Sequence, residues 1–130
     1  MIILTIRTDK PEAEIGLYED TKQLGYEVWT AHRQLAETLH GKIEELLKAH
    51  DKTWQNLEGI VCFHGPGSFT GLRIGMTVGN ALAYSYSLPI VACQDPQWLE
   101  TGLTRLTSGE SGKLVLPFYG ADAHIAPPKK

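Results

Sequence analysis

The sequence predicts an α/β lobe built on a mixed five-stranded sheet, and three observations carry that expectation. Short β-rich runs and longer helical repeats follow one another in the order β-β-β-α-β-α-β-α. The run Gly59 to His64 is uniformly apolar and short, as suits a strand covered on both faces by other layers. A glycine-rich turn then opens directly into a second helix, from about Thr70 to Ser85.

Each element has its own signal. Residues 2–6 (Ile-Ile-Leu-Thr-Ile) and 14–18 (Glu-Ile-Gly-Leu-Tyr) are β-rich and separated by the turn-like Asp9-Lys10-Pro11, and a third run spans Tyr26 to Thr30. Together they read as an antiparallel meander. From about Arg33 to His50, Leu35, Leu39, Ile43, Leu46 and Leu47 recur at helical spacing, with Glu37, Lys42, Glu44, Glu45 and Lys48 on the other side. Leu88 to Ala92 is a further short buried strand. Pro96 to Leu106 reads as a helix with Asp95 as N-cap and Pro96 in its first position. Beyond the polar segment Ser108 to Gly112, only Lys113 to Tyr119 looks like a strand, and the composition of Ala126 to Lys130 favours an extended or disordered end.

Composition narrows the function classes. A chain of 130 residues with 42% hydrophobic and 21% charged residues has the make-up of one soluble globular domain. Its formal charge of −3 and the lack of a basic block before Lys129-Lys130 argue against a broad grip on a phosphate backbone. No stretch approaches a membrane span, and Thr5 and Arg7 interrupt the apolar start at once, so the chain reads as cytoplasmic with no membrane partner. Cys62 and Cys93 sit singly inside apolar runs and read as structural thiols.

The segment Gly65-Pro66-Gly67-Ser68-Phe69-Thr70-Gly71-Leu72-Arg73-Ile74-Gly75 carries the most information. A strand, a glycine-rich turn and a helix start can cradle an anion on backbone N–H groups, so Gly65, Gly67, Ser68, Thr70 and Arg73 form a candidate nucleotide or phosphate turn. Against this, no Lys-Ser/Thr pair follows the last glycine and the spacing is not that of a dinucleotide fingerprint. The simpler reading, compatible with the first, is a tight turn in which Gly65 and Gly67 permit unusual backbone angles and Ser68 or Thr70 caps the helix.

Inside that helix Gly71, Gly75, Gly79 and Ala83 fall at successive i+4 positions and form a ridge of near-absent side chains. Each interior glycine costs about 1 kcal/mol relative to alanine, so the ridge implies a close backbone approach by the sheet beneath or by a second helix. Leu72 and Met76 supply bulk on another face. A bulky face and a flat one together suggest two packing surfaces, and the ridge is read here as facing a protein partner. The expected interface is Leu35, Leu39, Ile43, Gly71, Leu72, Gly75, Met76, Gly79 and Ala83.

The eleven residues from Gly65 to Gly75 resemble the Gly-Pro-Gly-Ser-Phe-Thr-Gly-x-Arg-x-Gly segment of the TsaB/YeaZ family, and the likeness extends over roughly residues 1–107. It implies one lobe of the actin/Hsp70/sugar-kinase (ribonuclease H-like) fold, with helices on both faces of the sheet. It further implies a non-catalytic scaffold that supports TsaD, with TsaE as third member, in threonylcarbamoyl transfer to N6 of adenosine 37 in ANN-decoding tRNAs. On this reading the first two helices contact TsaD, or a second copy when TsaD is absent, and tRNA is met only indirectly. No cofactor is implied for the chain itself; ATP or ADP at the joint surface with TsaD is the alternative, as is a weakly hydrolysing nucleotide-binding lobe. Residues 1–107 would be the N-terminal lobe and 108–130 a remnant of the second.

Two departures from the family pattern stand out. Arg7-Thr8-Asp9 replaces the usual acidic start after the first strand, and Arg33-Gln34-Leu35-Ala36 lacks the histidine of the family's Arg-Glu-His-Ser stretch. No catalytic residue is assigned. The five histidines lack metal-site spacing, Ser68 is not in a nucleophile elbow, and Glu44-Glu45 belongs to a solvated helix face.

Overall fold

The protein is described from a computed structural model, which covers residues 1–31, 34–66, 69–94 and 96–110. Five strands, β1 (Ile2–Arg7), β2 (Glu12–Glu19), β3 (Lys22–Thr30), β4 (Gly59–Phe63) and β5 (Ile90–Cys93), form one sheet in the order β3-β2-β1-β4-β5. The meander β1-β2-β3 is antiparallel, whereas β1, β4 and β5 run parallel. The helices are α1 (Leu35–Ala49), α2 (Phe69–Tyr86) and α3 (Trp98–Thr107).

Sheet position explains the burial patterns. β1 and β4 are central, so both of their faces are covered; every residue of β4 is buried. β3 is an edge strand, and Val28 on it stays exposed. The β2–β3 pairing shifts register between Leu17 and Tyr18, a bulge that lets β3 begin at Lys22 rather than at Tyr26 as the sequence predicted.

Two apolar cores lie on opposite sides of the sheet. Leu4, Ile6, Ile15, Leu17, Ile60 and Cys62 meet Leu35, Leu39 and Ile43 of α1 and Met76, Leu82 and Ala83 of α2. Ile3, Val61, Phe63 and Val91 meet Trp98, Leu103 and Leu106 of α3. Gly102 lets α3 sit directly on β4, since a Cβ there would lie 2.3 Å from a Val61 methyl. Polar ties hold α1 to the edge strand: Trp29 donates to Thr38 at 3.1 Å, and Lys42 pairs with Glu27 at 3.0 Å.

Two helix starts differ from expectation. α3 begins at Trp98 with Gln97 as its N-cap in the left-handed region (φ 64°), so Pro96 does not occupy its first position; Asp95 lies outside the described residues. α1 begins at Leu35, and the Arg33 that opens it in the sequence reading also lies outside them. α3 ends with Gly109 at φ 100° and Glu110 N–H donating to the Arg105 carbonyl, a left-handed turn that stops the helix. The predicted strand 113–119 and tail 126–130 fall outside the described residues.

Candidate functional site

The glycine ridge faces the protein's own sheet. A Cβ on Gly75 would lie 2.2 Å from Thr8 Oγ1, and one on Gly79 would lie 2.6 Å from Cys62 Sγ. Ala83 is 3% exposed, and the Gly71 carbonyl accepts the Thr8 hydroxyl at 2.7 Å. The compensating contact for the glycines is therefore the sheet beneath. The same correction applies to the apolar part of the expected interface. Leu35, Leu39, Ile43, Leu72 and Met76 are each 5% exposed or less, all inside the protein's own cores, where no partner reaches them.

What α2 presents outward is a second stripe, two positions out of phase with the ridge. Arg73, Thr77, Ala81, Tyr84 and Ser85 are exposed, and Ile74 and Val78 are half-buried. A shift of two residues is a rotation of about 200° on an α-helix, so ridge and stripe point in nearly opposite directions. Tyr84 is 89% exposed. Between the two helices, Ala36 of α1 and Arg73, Ile74, Thr77 and Val78 of α2 line a groove of about 240 Å³. Exposed Glu37, His40 and Gly41 extend the α1 side. The groove is lined mostly by apolar atoms, and Arg73 is the one charged side chain in α2. The sequence held a signal for it: Thr77 and Ala81 repeat small side chains beside the glycines, and only one of two opposed small faces can rest on the sheet.

Of the candidate phosphate residues, Gly65, Thr70 and Arg73 are described. Gly65 has φ 106° and makes the turn that leaves β4, as the need for unusual backbone angles predicted. Gly67 and Ser68 lie outside the described residues. Thr70 is exposed on the first turn of α2, while Arg73 lines the outer groove against α1.

A residue that sequence reading noted only as a departure stands instead at the carboxyl end of β1. Arg7 donates through Nε to Asp9 Oδ1 at 2.8 Å and through Nη2 to Asp9 Oδ2 at 3.2 Å. Its guanidinium carbon sits 3.8 Å from the centre of the Phe63 ring and 5.8 Å from that of Trp98. Trp98 meets Phe63 edge-on at 5.8 Å. Nothing in composition or periodicity could reveal this cluster, because its members come from three separate segments.

The cysteines are free and buried on opposite faces of the sheet. Burial pushes the Cys62 thiol up to about 12, and burial likewise raises Cys93, although Arg105 beside it acts the other way. Both are inert thiols at neutral pH. Among the described residues, no group of three or more His, Cys, Asp or Glu is placed to hold a metal ion, and no helix is long and apolar enough to cross a membrane.

A mixed five-stranded sheet in this order, with two helices on one face and one on the other, defines the protein as a ribonuclease H-like lobe of the actin/Hsp70/sugar-kinase type. The family model described as "TsaD: tRNA N6-adenosine threonylcarbamoyltransferase" matches residues 29–104, more than half of the chain. The tRNA threonylcarbamoyladenosine biosynthesis protein TsaB of Bacillus subtilis is 37% identical over 93 residues, covering 71% of this chain and 40% of its own. A tRNA N6-adenosine threonylcarbamoyltransferase of Geobacter sulfurreducens is 27% identical over 107 residues, covering 70% of this chain and 32% of its own. The solved structure of YeaZ from Pseudomonas aeruginosa superposes with a TM-score of 0.67 at 26% identity, over 72% of this chain and 44% of that one. The chain belongs to this threonylcarbamoyladenosine family as a partial-length protein of the TsaB/YeaZ type. It spans half or less of the length of each of these relatives.

Proposed function

We propose that the chain is a non-catalytic scaffold in the biosynthesis of threonylcarbamoyladenosine in tRNA, and that it binds and supports TsaD during transfer to N6 of adenosine 37 of ANN-decoding tRNAs. The observation that carries the reading is the outer face of α1 and α2, with its groove of about 240 Å³ and the exposed Tyr84 further along α2. A helix face that carries an apolar groove and an exposed aromatic residue is the kind of surface that protein partners cover. The names of the relatives support the pathway.

On this reading the interface is Ala36, Arg73, Ile74, Thr77, Val78, Ala81 and Tyr84 rather than the buried ridge. TsaE is met through the complex, a second copy covers the same face when TsaD is absent, and tRNA is held by other subunits in the cytoplasm. The chain needs no cofactor of its own, and residues 1–107 act as the lobe. Reconstitution tests the proposal. Leaving this chain out of a reaction with TsaD and TsaE from the same organism is expected to stop modified tRNA from accumulating; undiminished product would sink it.

A further inference from the structure

The two edges of the sheet are finished differently. The Pro89 and Cys93 carbonyls accept from Ile60 and His64 N–H groups on the β4 side, so the Ala92 carbonyl between them faces outward. Arg105 of α3 closes that outer side of β5: its Nη1 donates to the Ala92 carbonyl at 2.9 Å, and Glu110 holds the same guanidinium through Nε at 3.0 Å and through Nη2. β3 has no such cover. It is nine residues long, contains no proline, and among the described residues no strand or side chain pairs with the backbone on its outer side. α1 covers one face of it, through Trp29 with Thr38 and Glu27 with Lys42. The other face carries Tyr26, whose hydroxyl donates to Glu14 at 2.6 Å, and Val28. α3 packs on β4 and β5 and leaves Val28 54% exposed. A long bare edge beside an exposed apolar side chain is a template for strand addition.

We propose that the outer edge of β3 binds β3 of a second copy of this chain, antiparallel and centred on Val28, so that two sheets join across a two-fold axis. The strand is complementary to itself in that register. With Val28 opposite Val28 of the second copy, Tyr26 meets Thr30 and Glu27 meets Trp29, and no like charges are opposed. A register centred on Glu27 sets two carboxylates against each other, and one centred on Trp29 pairs fewer residues because β3 ends at Thr30. Tyr26 to Thr30 also lie beyond the bulge at Leu24, in the regular part of the strand. Strand pairing alone buries less surface than a standard interface, so the dimer is weak and depends on concentration. α2 lies over β1, β4 and β5, away from this edge, and the inference is therefore independent of the scaffold reading.

The test is sedimentation velocity of the 130-residue chain over a concentration series, in a Thr77→Arg background that disables the helix face where the scaffold reading also places a second copy. That chain is expected to pass from monomer to dimer as concentration rises. Adding Val28→Lys opposes two cations at the centre of the pairing and is expected to weaken the dimer at least about tenfold. Within each chain the new lysine stands opposite Glu14, so the fold is kept. A Thr77→Arg chain still monomeric at about 1 mM overturns the proposal, and so does a dimer that Val28→Lys leaves unchanged. Val28→Cys in the same background gives a second readout. Copper-catalysed oxidation is expected to join the two opposed thiols in one disulfide, their two protons and two electrons passing to dissolved oxygen. Cys62 and Cys93 are buried, so the parent chain is expected not to cross-link. Far-UV circular dichroism checks the fold of each variant. Should Val28→Lys not fold, the cross-link decides alone, and its absence overturns the proposal.

Discussion

The inner and outer faces of α2 are built from similarly small side chains and have opposite tasks. On the inner face Gly75 and Gly79 bring the helix within reach of Thr8 and Cys62, and the glycines are there because no Cβ fits. On the outer face Thr77 and Ala81 are exposed, so a larger side chain would meet only solvent. Small residues thus mean close packing on one side and open solvent on the other. Composition alone does not separate the two; the 3.6-residue period, combined with the position of the sheet, does.

That contrast can be broken by substitution. The largest effect belongs to Gly75→Leu, whose Cβ would collide with Thr8. It is expected to cost about 3 kcal/mol or more, read as a large drop in the urea midpoint or as failure to fold. Thr8→Val keeps the shape but removes the hydrogen bond from the Thr8 hydroxyl to the Gly71 carbonyl, and should cost about 1 kcal/mol in the same assay.

Cys62, beneath Gly79, gives the inner face a pH signature. Its folded pKa of about 12 lies above its ordinary value of 9.0 because burial disfavours the thiolate. A raised pKa keeps the folded form protonated while the unfolded form ionises. The contribution is therefore intact below pH 9 and is lost as pH climbs from there toward 12, by up to about 1.4 kcal/mol per unit. Thermal unfolding of Cys62→Ala should show a shallower alkaline decline than wild type, whatever its absolute midpoint. On the outer face, Ala81→Arg is expected to change stability by less than about 0.5 kcal/mol; a larger loss would mean that Ala81 is packed rather than exposed.

Much of the fold was legible because the relevant signals are local. The apolar run of β4 and the Leu35–Leu39–Ile43 spacing of α1 specify their elements without reference to anything distant. The start of β3 was missed because Lys22-Gln23-Leu24 has no apolar alternation, and its pairing depends on a bulge at Leu24 of β3 itself. The start of α3 was misplaced because Gln97 adopts a left-handed conformation more typical of Gly or Asn. The site was legible only in part. Glycine spacing identified a close approach, but which neighbour approaches is a property of the tertiary fold, and the sheet proved to be that neighbour. The Arg7 cluster was beyond sequence reasoning for the same reason: Phe63 and Trp98 are 35 residues apart and meet only because α3 returns across β4.

The central claim is that the outer face of α2, not its glycine ridge, receives TsaD. Thr77→Arg places a long cation in the middle of the outer groove without touching either core. The direct measurement is co-purification of this variant with TsaD, beside a circular-dichroism melt of the variant alone. The account predicts a melt within a few degrees of wild type and loss of the complex. A normally folded Thr77→Arg chain that still carries TsaD through purification would contradict it.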